Sequence, residues 1–156
     1  MQRLTTLLHR AYAELGAAGL NFTAVDQSEQ TTLRRARGGT SWVMEDGEEL
    51  VGTITVSWPA EATRQALTPE ASIEARAWLN QLAVDPARRG QGLARQLRDV
   101  AYDWCVRRGA TSIGLDTAQP AAHLVSLYAS WGFSVVDAVQ WPGKTYESVI
   151  MTRMLL

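Results

Sequence analysis

Hydrophobic positions along this chain change period several times, and each change marks an element. Leu4, Leu7, Leu8, Ala11 and Leu15 recur at helical spacing, which predicts an amphipathic first helix closed near Gly16 and Gly19. The segment "DQSEQTTLRRAR" predicts a second, shorter helix ending at Gly38-Gly39. The period then falls toward two. "TSWVMEDGEELVGTITVSW" is expected to form a β-hairpin: Asp46-Gly47 is its turn, β-branched residues alternate in its second strand, and Pro59 stops it. Residues 59 to 75 form a long connection, with a helical turn expected at Thr68-Pro69-Glu70.

The second half alternates more regularly. "AWLNQLAV" predicts a strand with Trp78, Asn80, Leu82 and Val84 on one face. A helix follows, carrying Leu93, Leu97, Val100, Ala101 and Trp104 on one stripe and ending at Gly109. Then come a strand at "TSIGLDT", a helix at "AAHLVSLYASW", a strand at "FSVVDAV" and a last strand at "YESVIMTRML". Helices and strands that alternate after an initial hairpin predict an α/β fold with a mixed sheet.

Composition narrows the partners. The chain has 156 residues, 46% of them hydrophobic and 20% charged, which suits a single domain over 1–156 with a real core. Its formal net charge is −1, so nothing draws it generally to nucleic acid or to an anionic membrane, and neither partner is expected. The one cysteine excludes an intrachain disulfide, and two histidines give no zinc-ligand spacing, so no metal is expected. The opening "MQRLTTLLHRAYAEL" scatters charge at helical intervals, unlike a signal peptide or a membrane span, and a cytoplasmic location is expected.

The stretch "VDPARRGQGLAR" carries the clearest chemistry. A P-loop would need G-x-x-x-x-G-K-[ST], which occurs nowhere in the chain. The dinucleotide fingerprint G-x-G-x-x-G begins at Gly90 and Gly92, but its third glycine would be Arg95, whose side chain obstructs close helix–strand packing. What remains is R-x-x-G-x-A: Arg89, Gly90, Gln91, Gly92, Leu93 and Ala94. At a helix N-terminus these residues offer unpaired N–H groups to an anion, with roughly 0.3–1 kcal/mol of help from the helix dipole. A glycine-rich turn with solvated arginines fits the same six residues.

The wider pattern resembles a known family. A strand ending "LAV", then "RRGQGLA" opening a helix, a further strand, and a helix ending "LYASWGF" are similar, in order, to the GNAT superfamily of acyl-CoA-dependent N-acetyltransferases. The hairpin "WVMEDGEELVGTITV" matches the strand pair that the family places before the motif, so the resemblance spans roughly residues 4 to 156. It implies a mostly antiparallel sheet of six to seven strands flanked by about four helices, splayed between the strands at 78–84 and 111–117. It also implies that the anion is the pyrophosphate of acetyl-CoA, held by backbone amides from Arg89 to Ala94. The backbone of Leu82, Ala83 and Val84 would then run beside the pantetheine arm.

By the same resemblance Tyr128, in L-Y-x-x-x-G-F, is the general acid that protonates the departing thiolate. A phenol of pKa about 10 stays protonated at neutral pH and can donate to a thiolate whose acid has pKa about 8.5. Gly132 and Phe133 would cap the helix and begin the next strand. The family often supplies a glutamate base from the strand before the motif, but Trp78, Leu79, Asn80 and Gln81 include no carboxylate. Asp116 is the nearest candidate base; a turn-capping role is its plainer reading, Glu74 lies just ahead of the strand, and a water relay on Asn80 is another route.

Two departures from the family pattern matter. An asparagine that often contacts the cofactor is Ala121 here, which would lose that contact or pass it to His123 or Gln119. The family also opens with a strand, so the sheet should be one strand short unless residues 20–25 replace it, and an exposed edge would invite a homodimer. Trp42, Trp58, Trp78 and Trp141 lie in the regions that select the acceptor in this superfamily, either as aromatic walls or as core. The expected reaction is transfer of acetyl to a primary amine of a small molecule. Acetylation of a protein N-terminus or lysine, and a non-catalytic CoA-binding sensor, are the alternatives.

Overall fold

The computed structural model describes all residues from Met1 to Leu156. The first compact unit comprises residues 1–57 and 79–104, and the second comprises 58–78 and 105–156. Six strands form one sheet: β1 (Thr40–Asp46), β2 (Glu49–Ser57), β3 (Arg76–Val84), β4 (Ser112–Ala118), β5 (Ser134–Val139) and β6 (Ser148–Met154), in the order β1-β2-β3-β4-β6-β5. The helices are α1 (Gln2–Ala17), α2 (Glu29–Arg37), α3 (Ala62–Leu67), α4 (Leu93–Arg107) and α5 (Ala122–Ser130). This is the expected mixed α/β class.

In the first unit the apolar stripe of α1 is buried as the helical spacing predicts. Leu4, Leu7 and Leu8 cluster with Ala24 and with Ala83 of β3. Residues 20–25 do not replace the missing strand. Thr23–Val25 is a 3-10 turn, Phe22 packs its ring against Tyr12 at 5.5 Å, and Ala24 is buried among the α1 leucines. The segment covers α1, which satisfies its apolar side chains without a ladder, and the sheet stays at six strands. Ser28 caps α2 by accepting from the Thr31 N–H at 3.1 Å. At Gly39 an added Cβ would lie 2.2 Å from the Val56 carbonyl oxygen, so the entry into β1 requires glycine.

The expected alternation along β3 fails at Gln81. This residue has φ +46°, a left-handed conformation that costs an ordinary residue roughly 1–2 kcal/mol. Asn80, Gln81 and Ala83 are buried whereas Leu82 and Val84 are only partly so, and Trp78, Asn80, Leu82 and Val84 therefore do not form one continuous core face. The stripe of α4 is also turned from the expected one. Leu97, Ala101 and Cys105, one i, i+4 ridge, are 3%, 0% and 0% exposed, while Val100 is 48% exposed.

In the second unit, the start of β3 pairs parallel to β4 from Arg76↔Ser112 to Trp78↔Gly114, and the ladder ends there, as expected of a splayed pair. β4 and β5 each pair antiparallel to β6, with a bulge in β5 between Val135 and Asp137. Trp78 is fully buried and lies over Gly114, where a Cβ would come within 2.5 Å of the ring. It shares a core with Ala60, Ala71 and Ile150. The long connection is mostly helical: α3, then a 3-10 turn at Pro69–Ser72 begun by Thr68, whose Oγ1 accepts from the Glu70 N–H. After α5, Gly132 takes φ +88° and the Phe133 N–H returns to the Tyr128 carbonyl at 3.1 Å, which closes the helix as the sequence implied.

Candidate functional site

The loop from Asp85 to Gly92 is held by hydrogen bonds within the protein. Asp85 is 8% exposed; its carboxylate accepts from the Ala87 N–H at 3.0 Å and from Arg10 Nη2 at 3.0 Å, and its own N–H reaches the Val51 carbonyl at 2.8 Å. The Arg88 N–H donates to the Asp85 carbonyl, which tightens Pro86–Arg88 into a 3-10 turn. Gly90 and Gly92 then adopt φ +79° and +76°, and a Cβ on either would meet nothing within 4 Å. The first bond of α4 runs from the Gln96 N–H to the Gly92 carbonyl at 3.1 Å. The N–H groups of Leu93, Ala94 and Arg95 therefore have no partner inside the helix. Gly90, Gln91 and Gly92 are exposed, so these donors open onto free space suited to a diphosphate. The loop arginines are held by carboxylates: Arg88 by Asp46, and Arg89 by Glu14 at 3.1 Å.

Behind that loop, Leu82, Ala83 and Val84 continue β3. The Leu82 carbonyl accepts a hydrogen bond from the Tyr12 hydroxyl at 2.7 Å. Asn80 is 7% exposed and donates through Nδ2 to Ser57 Oγ at 2.8 Å.

The second unit holds the other candidates. Tyr128 is 7% exposed in α5, with Trp131 at 5.7 Å and Phe133 at 6.0 Å, both edge to face. Its ring direction is thus fixed by packing. His123 is exposed in the first turn of α5, as is Gln119 ahead of it, whereas Ala121 is buried. Asp116 sits near the end of β4 and is crowded with donors. Its Oδ1 accepts from Arg64 Nε at 2.9 Å and from Trp78 Nε1 at 3.0 Å, and its Oδ2 accepts from Trp141 Nε1 at 3.2 Å. Arg64 also pairs with Glu61 at 3.1 Å and lies over the Trp141 ring at 5.8 Å. Glu74 is exposed, and its carbonyl accepts from Trp58 Nε1.

Among the tryptophans of the acceptor regions, Trp78 is core, Trp42 stacks edge-on against Trp104 at 5.8 Å, and Trp58 and Trp141 are half-buried. Burial pushes the Cys105 thiol up to about 11, so it stays protonated at neutral pH and is no nucleophile.

Comparison with known proteins decides the family. The profile of the acetyltransferase (GNAT) family matches residues 2–133. The chain belongs to that family. Rat N-acetyltransferase 8B is 32% identical over 100 residues, a stretch that is 62% of this chain and 40% of the relative. The chain thus spans less than half the length of the curated relatives it matches. Among solved structures, the ribosomal-protein-S18-alanine N-acetyltransferase of Escherichia coli superposes with a TM-score of 0.72 at 18% identity, covering 99% of this chain and 86% of that one. An aminoglycoside 6'-N-acetyltransferase complexed with coenzyme A gives 0.68 at 17% identity, covering 99% and 90%. These likenesses establish the GNAT fold. No helix of the chain is long and apolar enough to cross a membrane.

The sequence carries no sign that Tyr12 would reach the Leu82 carbonyl or that Arg64 would reach Asp116. Gln81 gave no signal because a left-handed residue that is not glycine leaves no mark in sequence. Tyr12 lies in the α1 segment without a motif around it, and Arg64 lies in a connection without clear periodicity.

Proposed function

We propose that this GNAT family member transfers an acetyl group from acetyl-CoA to a primary amine of a small molecule. The observation that carries the donor half is the nest of unpaired N–H groups at the start of α4, built by Gly90 and Gly92 at positive φ. The room beside both glycines and the lack of intrahelical partners for Leu93 to Arg95 fit a diphosphate held by main chain from Arg89 to Ala94. The ladder from β3 to β4 ends at Trp78, and the peptide groups of Leu82, Ala83 and Val84, apart from the Leu82 carbonyl held by Tyr12, suit the amides of the pantetheine arm, because amides removed from water need partners. His123, exposed at the start of α5, is available to take the contact that Ala121 cannot make.

Acetyl-CoA supplies an activated thioester. The acceptor nitrogen forms a bond to the acetyl carbon, the carbon–sulfur bond breaks, and the sulfur leaves as a thiolate that takes a proton from the Tyr128 hydroxyl. The amine's surplus proton passes to solvent. A buried tyrosine locked by Trp131 and Phe133 presents its hydroxyl in one direction, which suits a proton donor. Asp116 is assigned to organising rather than to taking the amine's proton, since three donors already occupy its oxygens.

The choice of a small acceptor rests on the second unit. The connection 58–75 is ordered by α3, and through Arg64 and Asp116 it is tied to Trp141 of the β5–β6 loop. A tied connection favours an enclosed acceptor over a peptide lying in an open groove. The two named structural neighbours act on a ribosomal-protein alanine and on aminoglycosides, so peptide acceptors are the competing reading.

The test is release of free thiol from acetyl-CoA over a panel of small amines and N-terminal peptides, beside a thermal-shift titration with acetyl-CoA. Turnover on small amines is expected. Turnover on peptides alone would move the chain to the protein-acetylating reading. Stabilisation without turnover on either would make it a sensor, and no stabilisation at all would remove the donor site.

A further inference from the structure

Three side-chain contacts from the N-terminal helical segment fall on one short stretch that begins at the left-handed residue of β3 and ends just past the strand. Gln27 Nε2 donates to Gln81 Oε1 at 3.1 Å, the Tyr12 hydroxyl donates to the Leu82 carbonyl at 2.7 Å, and Arg10 pairs with Asp85 at 3.0 Å. Gln27 is itself fixed from every side. Its Oε1 accepts from Arg35 Nη1 at 2.7 Å, its Nε2 also donates to Thr32 Oγ1 at 2.8 Å, and its carbonyl meets His9 Nε2 at 2.8 Å. Thr32 Oγ1 in turn takes a hydrogen bond from Thr5 and donates to the Ser28 carbonyl. Gln27, Thr32, Thr5 and Gln81 are all buried, at 5%, 0%, 6% and 6% exposure. A buried polar network this fully bonded exists in one arrangement only.

We propose that Gln27 and Tyr12 are positioning residues for the acyl donor: their hydrogen bonds to Gln81 and to the Leu82 carbonyl hold β3 in its left-handed bend before the donor arrives. The bend re-aims the peptide groups that follow it, and a side chain grips the strand at the bend and at the next residue. Without the grip the strand can relax toward regular extended geometry, which Gln81 prefers as an L-residue, and the amides beyond it lose their preset directions. The proposal rests on the reading that Leu82 to Val84 bind the donor.

The experiment uses the whole chain with Tyr12→Phe, Gln27→Glu, and the double variant Gln27→Glu/Gln81→Gly. Tyr12→Phe removes one hydroxyl and keeps the ring against Phe22. Gln27→Glu keeps the acceptor for Arg35 but cannot donate to Gln81 or to Thr32. Glycine at 81 adopts the left-handed bend without strain. Calorimetric titration with acetyl-CoA is expected to show Kd weakened about five- to tenfold in each single variant, as befits the one hydrogen bond lost in Tyr12→Phe and the two lost in Gln27→Glu. The KM for acetyl-CoA rises in parallel, while kcat at saturating donor and the acceptor KM stay within about twofold. The double variant recovers donor affinity relative to Gln27→Glu, although it restores no side-chain contact.

Donor Kd unchanged in both single variants, with only the melting temperature lowered, overturns the proposal, as does no recovery in the double variant. If Gln27→Glu fails to fold, Tyr12→Phe alone decides it. A wild-type chain that binds no acetyl-CoA overturns the underlying donor reading instead, a result distinct from a wild type that binds and variants that bind equally well.

Discussion

The glycine loop of the first unit, on our reading the donor site, and the Asp116 cluster of the second are both polar constructions near strand ends, yet they are made of different material. The loop works through main chain: Gly90 and Gly92 turn it, α4 begins with unpaired N–H groups, and the arginines beside it are paired to carboxylates at the surface. The Asp116 cluster works through side chains: two indoles and a guanidinium converge on one carboxylate, and both of its oxygens are occupied. An array of unmet donors is poised for a ligand, whereas a saturated cluster is poised to hold protein segments in place. Tyr128 shares the side-chain character of the second unit but, on our reading, spends it on chemistry.

The comparison can be broken in three places. The largest effect is expected at Tyr128→Phe, which should lower kcat by about a hundred- to ten-thousand-fold and leave the calorimetric Kd for acetyl-CoA nearly unchanged. Undiminished turnover would strip Tyr128 of its role. Next is Gly92→Val, which forces a β-branched residue to φ +76° and puts a side chain beside the nest. Donor Kd should weaken about ten- to a hundredfold, with kcat at saturating donor close to wild type. A loop that binds through side chains would not register this change.

The smallest effect on rate is expected at Asp116→Asn. Arg64 keeps Glu61 but loses its less exposed partner, and the amide presents a donor where the carboxylate accepted. The chain should lose about 1–3 kcal/mol of unfolding free energy in denaturant titration. Its kcat should fall by less than about tenfold. A fall of about a hundredfold or more, with the low-pH limb of the rate profile removed, would make Asp116 the general base after all.

Much of this molecule was legible in its sequence because the signals are local. Helical spacing in α1, Asp46-Gly47 in the hairpin, the glycines ahead of α4 and the Gly132-Phe133 helix end each act within a few residues, and each element formed where its pattern placed it. The α4 stripe was less secure, since Val100 and Cys105 both lie within one position of the same ridge and only packing chose between them. The fate of residues 20–25 was undecidable locally: "LNFTAV" suits a strand, but the apolar face of α1 claimed it.

By itself, then, the sequence determined the order of elements, the glycine turn ahead of α4 and the family resemblance, because glycine positions and hydrophobic period report directly on backbone geometry. Tertiary structure alone decided that Gln81 bends β3, that Gln27 and Tyr12 grip that bend, and that Asp116 is enclosed by Arg64, Trp78 and Trp141. The physical reason for the last two is the same. A hydrogen bond between residues tens of positions apart exists only once the fold has brought them together, and no local pattern records the partner in advance.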